Sequence, residues 1–191
     1  LIQLNTLQPI MVLSDTAAKD SFSATTAAAG SRDNTPVVLT GSADGTVTYG
    51  NDSVTVDASH TQEGYLMVSY SGSNSKVKLQ ITGSDEITYT YNLHDGYETF
   101  PLTSGSGSYT VGVFENIEGT SYSTLFTQAI DVTIQDEFGP YLYANQYVNF
   151  SADSKVISKA MELSASANDD LEVIENVYNY IITNFTYDYD K

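Results

Sequence analysis

Along residues 35–150, short runs in which every second residue is apolar alternate with clusters of Gly, Asn, Asp and Ser. Period two places successive side chains on opposite faces of a strand, so each run is expected to bury one face and wet the other. Val54 and Val56 alternate with Thr55 and Asp57; Leu66, Val68 and Tyr70 follow; then come Val77, Leu79 and Ile81, whose neighbours Lys76, Lys78 and Gln80 are expected to face water. Ala43-Asp44-Gly45 and Gly50-Asn51-Asp52 bracket a short strand ending in Val47 and Tyr49. Further runs carry Ile87, Tyr89 and Tyr91, then Tyr97 to Leu102, then Tyr109, Val111 and Val113 after the turn Gly105-Ser106-Gly107, and last Tyr122 to Ile134. Short strands at this spacing, rich in Val, Ile, Tyr and Thr, predict about eight or nine strands in a mainly β, immunoglobulin-like antiparallel β-sandwich.

After Gly139-Pro140 the apolar period becomes helical. Asp169 is a good N-cap with Glu172 three residues on, and Leu171, Ile174, Val177, Tyr178, Ile181, Ile182 and Phe185 follow at helical spacing. Ile174, Val177, Tyr178, Ile181 and Phe185 are expected to form one buried stripe. An earlier helix is expected over about 153–163, burying Val156, Ile157, Ala160 and Met161. Strands followed by helices suggest two domains or an α+β arrangement, divided here as a sandwich over 35–150 and a helical segment over 151–191.

At the other end, residues 14–34 are mostly Ser, Ala, Thr, Asp and Gly, with Phe22 the one large apolar side chain, and read as a linker. Residues 1–13 carry Ile2, Leu4, Ile10, Val12 and Leu13 and are expected to form an extra strand that docks on the body or a neighbour. Gln3, Asn5, Gln8 and Pro9 interrupt the apolar stretch, so it is neither a signal sequence nor a membrane span. Membrane insertion is therefore not expected. A chain that begins at Leu1 rather than Met reads as a processed product or a fragment.

Charge narrows the partners. Seven basic residues against 24 acidic ones give 7 − 24 = −17 and a pI near 4.1, a field that repels phosphate backbones, so nucleic acid is not expected as a partner. The chain has no Cys, which excludes a disulfide, a thiolate metal site and a Cys nucleophile within it. A catalytic role for His60 or His94, the two histidines, would need Ser, Asp or Glu as partner. His94-Asp95-Gly96 reads as a hairpin turn with positive φ at its end. The acidic pairs Asp85-Glu86 and Asp136-Glu137, the carboxylates Asp188 and Asp190, and Asn51-Asp52 near Asp57 do not have calcium-loop spacing, although converging loops on a sandwich rim can hold calcium. Nucleotide, hydrolase-elbow and zincin motifs do not occur. No residue is therefore expected to serve as a catalytic, cofactor-binding or metal-ligating group, and no cofactor is expected. The abundant Tyr residues are either strand packing or a sugar-stacking platform, and an exposed coplanar pair would favour the platform.

The run from Asp170 to Asp190, with Ile174, Tyr178, Tyr180 and Ile181 in its helix and Tyr187-Asp188 beyond it, resembles the opening of bacterial transglutaminase-like domains. In that family an amphipathic helix of the form I-x-x-x-Y-x-Y-I leads into an I-x-Y-D segment. The resemblance implies a papain-like Cys, His, Asp machinery whose Cys lies downstream on a helix N-terminal turn. No residue here matches that Cys, so no catalytic residue is carried over and this chain is not itself expected to be an enzyme. Extracellular members of the family often place β-sandwich domains before the catalytic one. The expectation is a non-catalytic accessory or positioning domain of a secreted or cell-surface transglutaminase-like protein. Its expected partner is a downstream catalytic domain, with a cell-wall or host-surface polymer and self-association through the helical tail as further partners. The alternatives are a carbohydrate or host-surface binding module and a structural adhesin spacer. Without the resemblance, the tail reads as a capping subdomain whose stripe packs on the sandwich.

Overall fold

Alternation of this kind needs a second apolar face to close against, and the sequence provides two sheets that supply it to each other. The computed structural model describes residues 32–189; the expected strand at 1–13 and most of the expected linker lie outside the described residues. The strands are β1 (Thr48–Gly50), β2 (Val54–Asp57), β3 (Tyr65–Tyr70), β4 (Val77–Thr82), β5 (Thr88–Leu93), β6 (Gly96–Pro101), β7 (Gly107–Glu118) and β8 (Ser121–Val132). They form two antiparallel four-stranded sheets in the orders β1-β2-β3-β6 and β5-β4-β7-β8. Sequence-adjacent strands thus part between sheets at β3/β4, β5/β6 and β6/β7. Omitting β1, the sheets are β2-β3-β6 against β4-β7-β8 with β5 beside β4, an immunoglobulin-like arrangement in which the fourth strand joins the second sheet.

The inward residues of both sheets meet in one core. Val56, Val68, Leu79, Phe100, Leu102, Val111 and Val113 lose all contact with water, each apolar side chain contributing about 1.5–3 kcal/mol of burial. The Tyr91 ring meets Phe100 edge-on across the sheets at 5.0 Å. At the start of β7, buried Tyr109 donates its hydroxyl to the Gly105 carbonyl four residues back, 2.8 Å away, which is the tyrosine corner of immunoglobulin-like folds. One expectation needs correcting here: His94-Asp95-Gly96 is not a hairpin turn. Its flanks, β5 and β6, belong to different sheets, so it carries the chain from one sheet to the other, with Gly96 at φ 84° making the bend.

Beyond β8 the chain folds back on the sandwich. A 3-10 turn, Gly139–Tyr141, abuts a second one, Thr61–Glu63, so closely that a Cβ on Gly64 would lie 2.5 Å from the Pro140 ring. Tyr143 then forms a parallel bridge with Leu39 in the segment leading into β1. The turn that follows caps the free edge of β5: Gln146 Nε2 donates to the Asn92 carbonyl at 2.6 Å and the Tyr147 hydroxyl to that of Thr90 at 3.3 Å. Helices α1 (Lys155–Ser164) and α2 (Asp170–Asn184) come last and pack against each other. None of the described helices is long and apolar enough to cross a membrane.

Candidate functional site

The N-terminus of α2 is as the sequence predicts. Asp169 Oδ1 accepts from the Glu172 amide at 2.9 Å, while Glu172 Oε2 reaches back to the Asn168 amide at 2.7 Å, the reciprocal pattern of a capping box shifted by one residue. Asn176 Nδ2 donates to the Leu163 carbonyl at 2.9 Å, and the Lys159 ammonium lies 5.0 Å from the Tyr180 ring centre, which pins α2 to α1. Arg32 Nε pairs with Asp170 at 2.7 Å and Asn34 Nδ2 reaches the Ala167 carbonyl at 3.3 Å, so residues placed in the expected linker instead tie down the start of the helix.

Burial of the stripe is overturned. Val173, Asn176, Val177 and Tyr180 are half-buried, whereas Leu171, Ile174, Tyr178, Ile181, Ile182 and Phe185 are all at least 50% exposed. At 100° per residue the first five occupy one continuous face of α2, turned away from the half-buried residues, while Phe185 follows the helix in extended conformation and meets the Tyr180 ring edge-on at 5.9 Å. The sequence pattern merged two faces into one, because Val177 lies at the border between them. The exposed face does not lie on the sandwich, so the tail is not a capping subdomain held by this stripe. Val156 and Met161 of α1, also expected to be buried, are 59% and 51% exposed. Burying side chains of this size contributes about 1.5–3 kcal/mol each, so the α2 face leaves on the order of 5–10 kcal/mol for a partner to realise.

A second cluster gathers around His60, a residue the sequence named without its partners. His60 Nε2 lies 3.1 Å from Ser42 Oγ and Nδ1 lies 3.1 Å from Glu63 Oε1, the connectivity of a Ser-His-acid triad. Asp44 Oδ2, however, sits 3.0 Å from the same Nε2. With a carboxylate on each ring nitrogen both must be N–H donors, so the favoured species is the imidazolium, which cannot take a proton from Ser42. Burial alone would push His60 down from its usual 6.5, but the bonds to Glu63 and Asp44 outweigh it and raise it. The amides beside Ser42 are also committed: Ser42 N donates to the Tyr65 hydroxyl, Gly45 N to Asp57, and Thr46 N and Val47 N to Ser59 Oγ.

Chemically the cluster is therefore a clasp. Its imidazole stacks on Tyr65 at 5.2 Å, and the Tyr143 hydroxyl donates to Glu63 at 2.8 Å, so one histidine joins the lead-in segment, the β2–β3 connection and the chain leaving β8. The His60 bond, then the Tyr143 hydroxyl, hold Glu63 below its ordinary 4.5. Burial first, then the Glu63 carboxylate, push Tyr143 up to about 12. The sequence singled out His60 and the types of partner it would need; Ser42, Asp44, Glu63 and Tyr143 gave no signal as those partners.

Other candidates resolve into turn chemistry. Asp57, 2% exposed, accepts from the Gly45 and Ser59 amides, and Asn51 Oδ1 accepts from the Ser53 and Val54 amides. His94 Nδ1 pairs with Glu98 at 3.0 Å. Asp85 and Asp136 close their own turns on the amides of Ile87 and Phe138. Among the described residues no three His, Cys, Asp or Glu side chains converge as a metal site. The exposed Tyr187 and Tyr189 rings meet at 60° rather than coplanar. Compared with family models, curated proteins and solved structures, the chain matches none.

Proposed function

We propose that the chain is a non-catalytic positioning module of a secreted or cell-surface transglutaminase-like protein, in which the sandwich is the carrier and the α1–α2 hairpin is the opening of the catalytic domain. The observation that carries this reading is the continuous apolar face of α2, from Leu171 to Ile182, exposed on the very helix whose sequence resembles the opening of such domains. A helix of about 15 residues is marginal in water without tertiary packing, so a face this apolar is explained by a partner surface that covers it. A following domain is the occupant the resemblance implies. With no Cys in these residues, the thiol that such chemistry requires belongs to that domain.

The test is the native polypeptide that carries this sequence, detected in cell-surface and secreted fractions with antibodies to the sandwich. Its mass should exceed 20.7 kDa, and it should react with a thiol-alkylating probe that this chain cannot take up. A native product of 20.7 kDa, or a larger one that never labels, overturns the reading.

A further inference from the structure

Across residues 35–150 the sequence has only two basic side chains, Lys76 and Lys78. Two residues apart, one just before β4 and one within it, they point to the same face of the sheet, and that face is the outer one, because Val77, Leu79 and Ile81 point into the core. Lysines on sheets are commonly guards of an edge strand. That explanation fails here, since β4 lies inside its sheet between β5 and β7. Nor do they serve an ion pair: among the described residues Arg32 and Lys159 have carboxylate partners, whereas Lys76 and Lys78, like Lys155 on α1, have none, although the chain is strongly acidic. Lys78 Nζ instead donates to Asn92 Oδ1 across the β4–β5 pair.

Both lysines line one groove of about 450 Å³, together with Asn92, His94, Gly119 and Tyr122. The volume falls in the range of small-ligand sites. No carboxylate lines the groove, and Glu98, which pairs with the lining residue His94, is also engaged by Gln146. The far wall is the tip of the long β7–β8 hairpin, which two irregularities in register, between Val113 and Phe114 and between Asn116 and Glu118, separate from the regular ladder. Asn116 holds that tip in place: its amide nitrogen donates to the Lys76 carbonyl at 3.0 Å, and its Nδ2 donates to the carbonyls of Gly119 and Ser121 at 3.0 and 3.1 Å. The wall is thus preformed, and Tyr122 stands in it with 36% of its surface exposed.

We propose that this groove binds an acidic oligosaccharide, with a sugar carboxylate held between Lys76 and Lys78 and a pyranose face against Tyr122. Two ammonium groups with no protein counter-ion match an anion, an aromatic wall matches the apolar face of a sugar ring, and the Asn92 amide and His94 imidazole suit hydroxyls. An extended acidic peptide fits less well, because it would add to the β5 edge, where the Asn92 and Thr90 carbonyls are already taken by Gln146 and Tyr147. The site lies on the sandwich and stands whether or not the helical hairpin opens a catalytic domain.

The full chain is titrated by isothermal calorimetry and amide NMR with an oligogalacturonate, with a sialylated lactose, with lactose as the neutral control and with an oligoglutamate peptide. Binding of either acidic sugar, with shifts at Lys76, Lys78, Asn92 and Tyr122 and no response to lactose, supports the proposal, and the sugar that binds identifies the source of the carboxylate. The double variant K76Q/K78Q should bind about tenfold or more weakly, with Y122A also weakened, while both keep the wild-type melting temperature because the side chains sit on the outer face. Failure of both acidic sugars, unchanged affinity in K76Q/K78Q, or oligoglutamate binding as tight as the sugars with Y122A unaffected would overturn it.

Discussion

In β4, Val77, Leu79 and Ile81 are at most 2% exposed; in α2, Leu171, Ile174, Tyr178, Ile181 and Ile182 are all at least 50% exposed. Both segments have regular amphipathic sequence, so periodicity is not what separates them. A strand that alternates is buried here because a second sheet, also encoded within 35–150, presents a matching face about 10 Å away. Helix α2 packs on α1, with Arg32 and Asn34 holding its start, and α1 covers the side of α2 that carries Val173, Val177 and Tyr180. Periodicity determines which residues share a face. It leaves open whether anything covers that face.

The comparison is tested most strongly by truncating matched side chains in the two regions. Phe100→Ala empties a site that is 0% exposed and should cost about 3–5 kcal/mol, read as a lower urea midpoint by circular dichroism. A cost under about 1 kcal/mol would show that the two sheets do not share one tight core.

Tyr109→Phe removes only the hydroxyl that reaches Gly105 and should cost about 1–2 kcal/mol in the same assay, since it leaves the ring packed and one carbonyl without its partner. A neutral outcome would mean that the corner adds nothing beyond ring burial.

A smaller effect follows from the clasp, and its sign is set by pKa. A histidine whose folded pKa is raised contributes stability that is fully present below its unfolded value of 6.5 and is lost as pH rises through the folded value. The depressed Glu63 and Asp57 act in the opposite direction, losing their contribution in acid as pH falls through their folded values, below 4.5 and 3.8 respectively. The gap between wild type and His60→Gln should therefore be greatest near pH 5 to 6 and narrow by pH 8 to 9. A gap that is constant over that range would show that His60 is held neutral.

The smallest effect is expected where the sequence alone predicts a large one. Ile181→Asp places its charge in water rather than in a core, and the melting temperature of the isolated chain should match that of Asn179→Asp, each within about 0.5 kcal/mol of wild type. Hydrogen exchange should be faster across Ile174 to Phe185 than across β4 and β7. A clear destabilisation by Ile181→Asp would indicate that a second copy covers the face, and sedimentation velocity would then show a dimer.

What the sequence determined by itself is the local part of this structure. The strand positions from Val54 to Val132, the cap at Asp169 with Glu172, and the acidic surface all depend on neighbours a few residues apart, where backbone geometry leaves few choices. Tertiary structure decided what depends on distant segments. It placed β5 beside β4, which turned His94-Asp95-Gly96 from a hairpin into a crossing between sheets. It brought Ser42, Asp44 and Tyr143 to His60 and set Tyr122 opposite Lys76 and Lys78. It also left the α2 stripe uncovered. Each of these rests on which surfaces meet in space, and a one-dimensional pattern carries only the register of the face, since loop lengths and competing partners, rather than local spacing, select the surface that covers it.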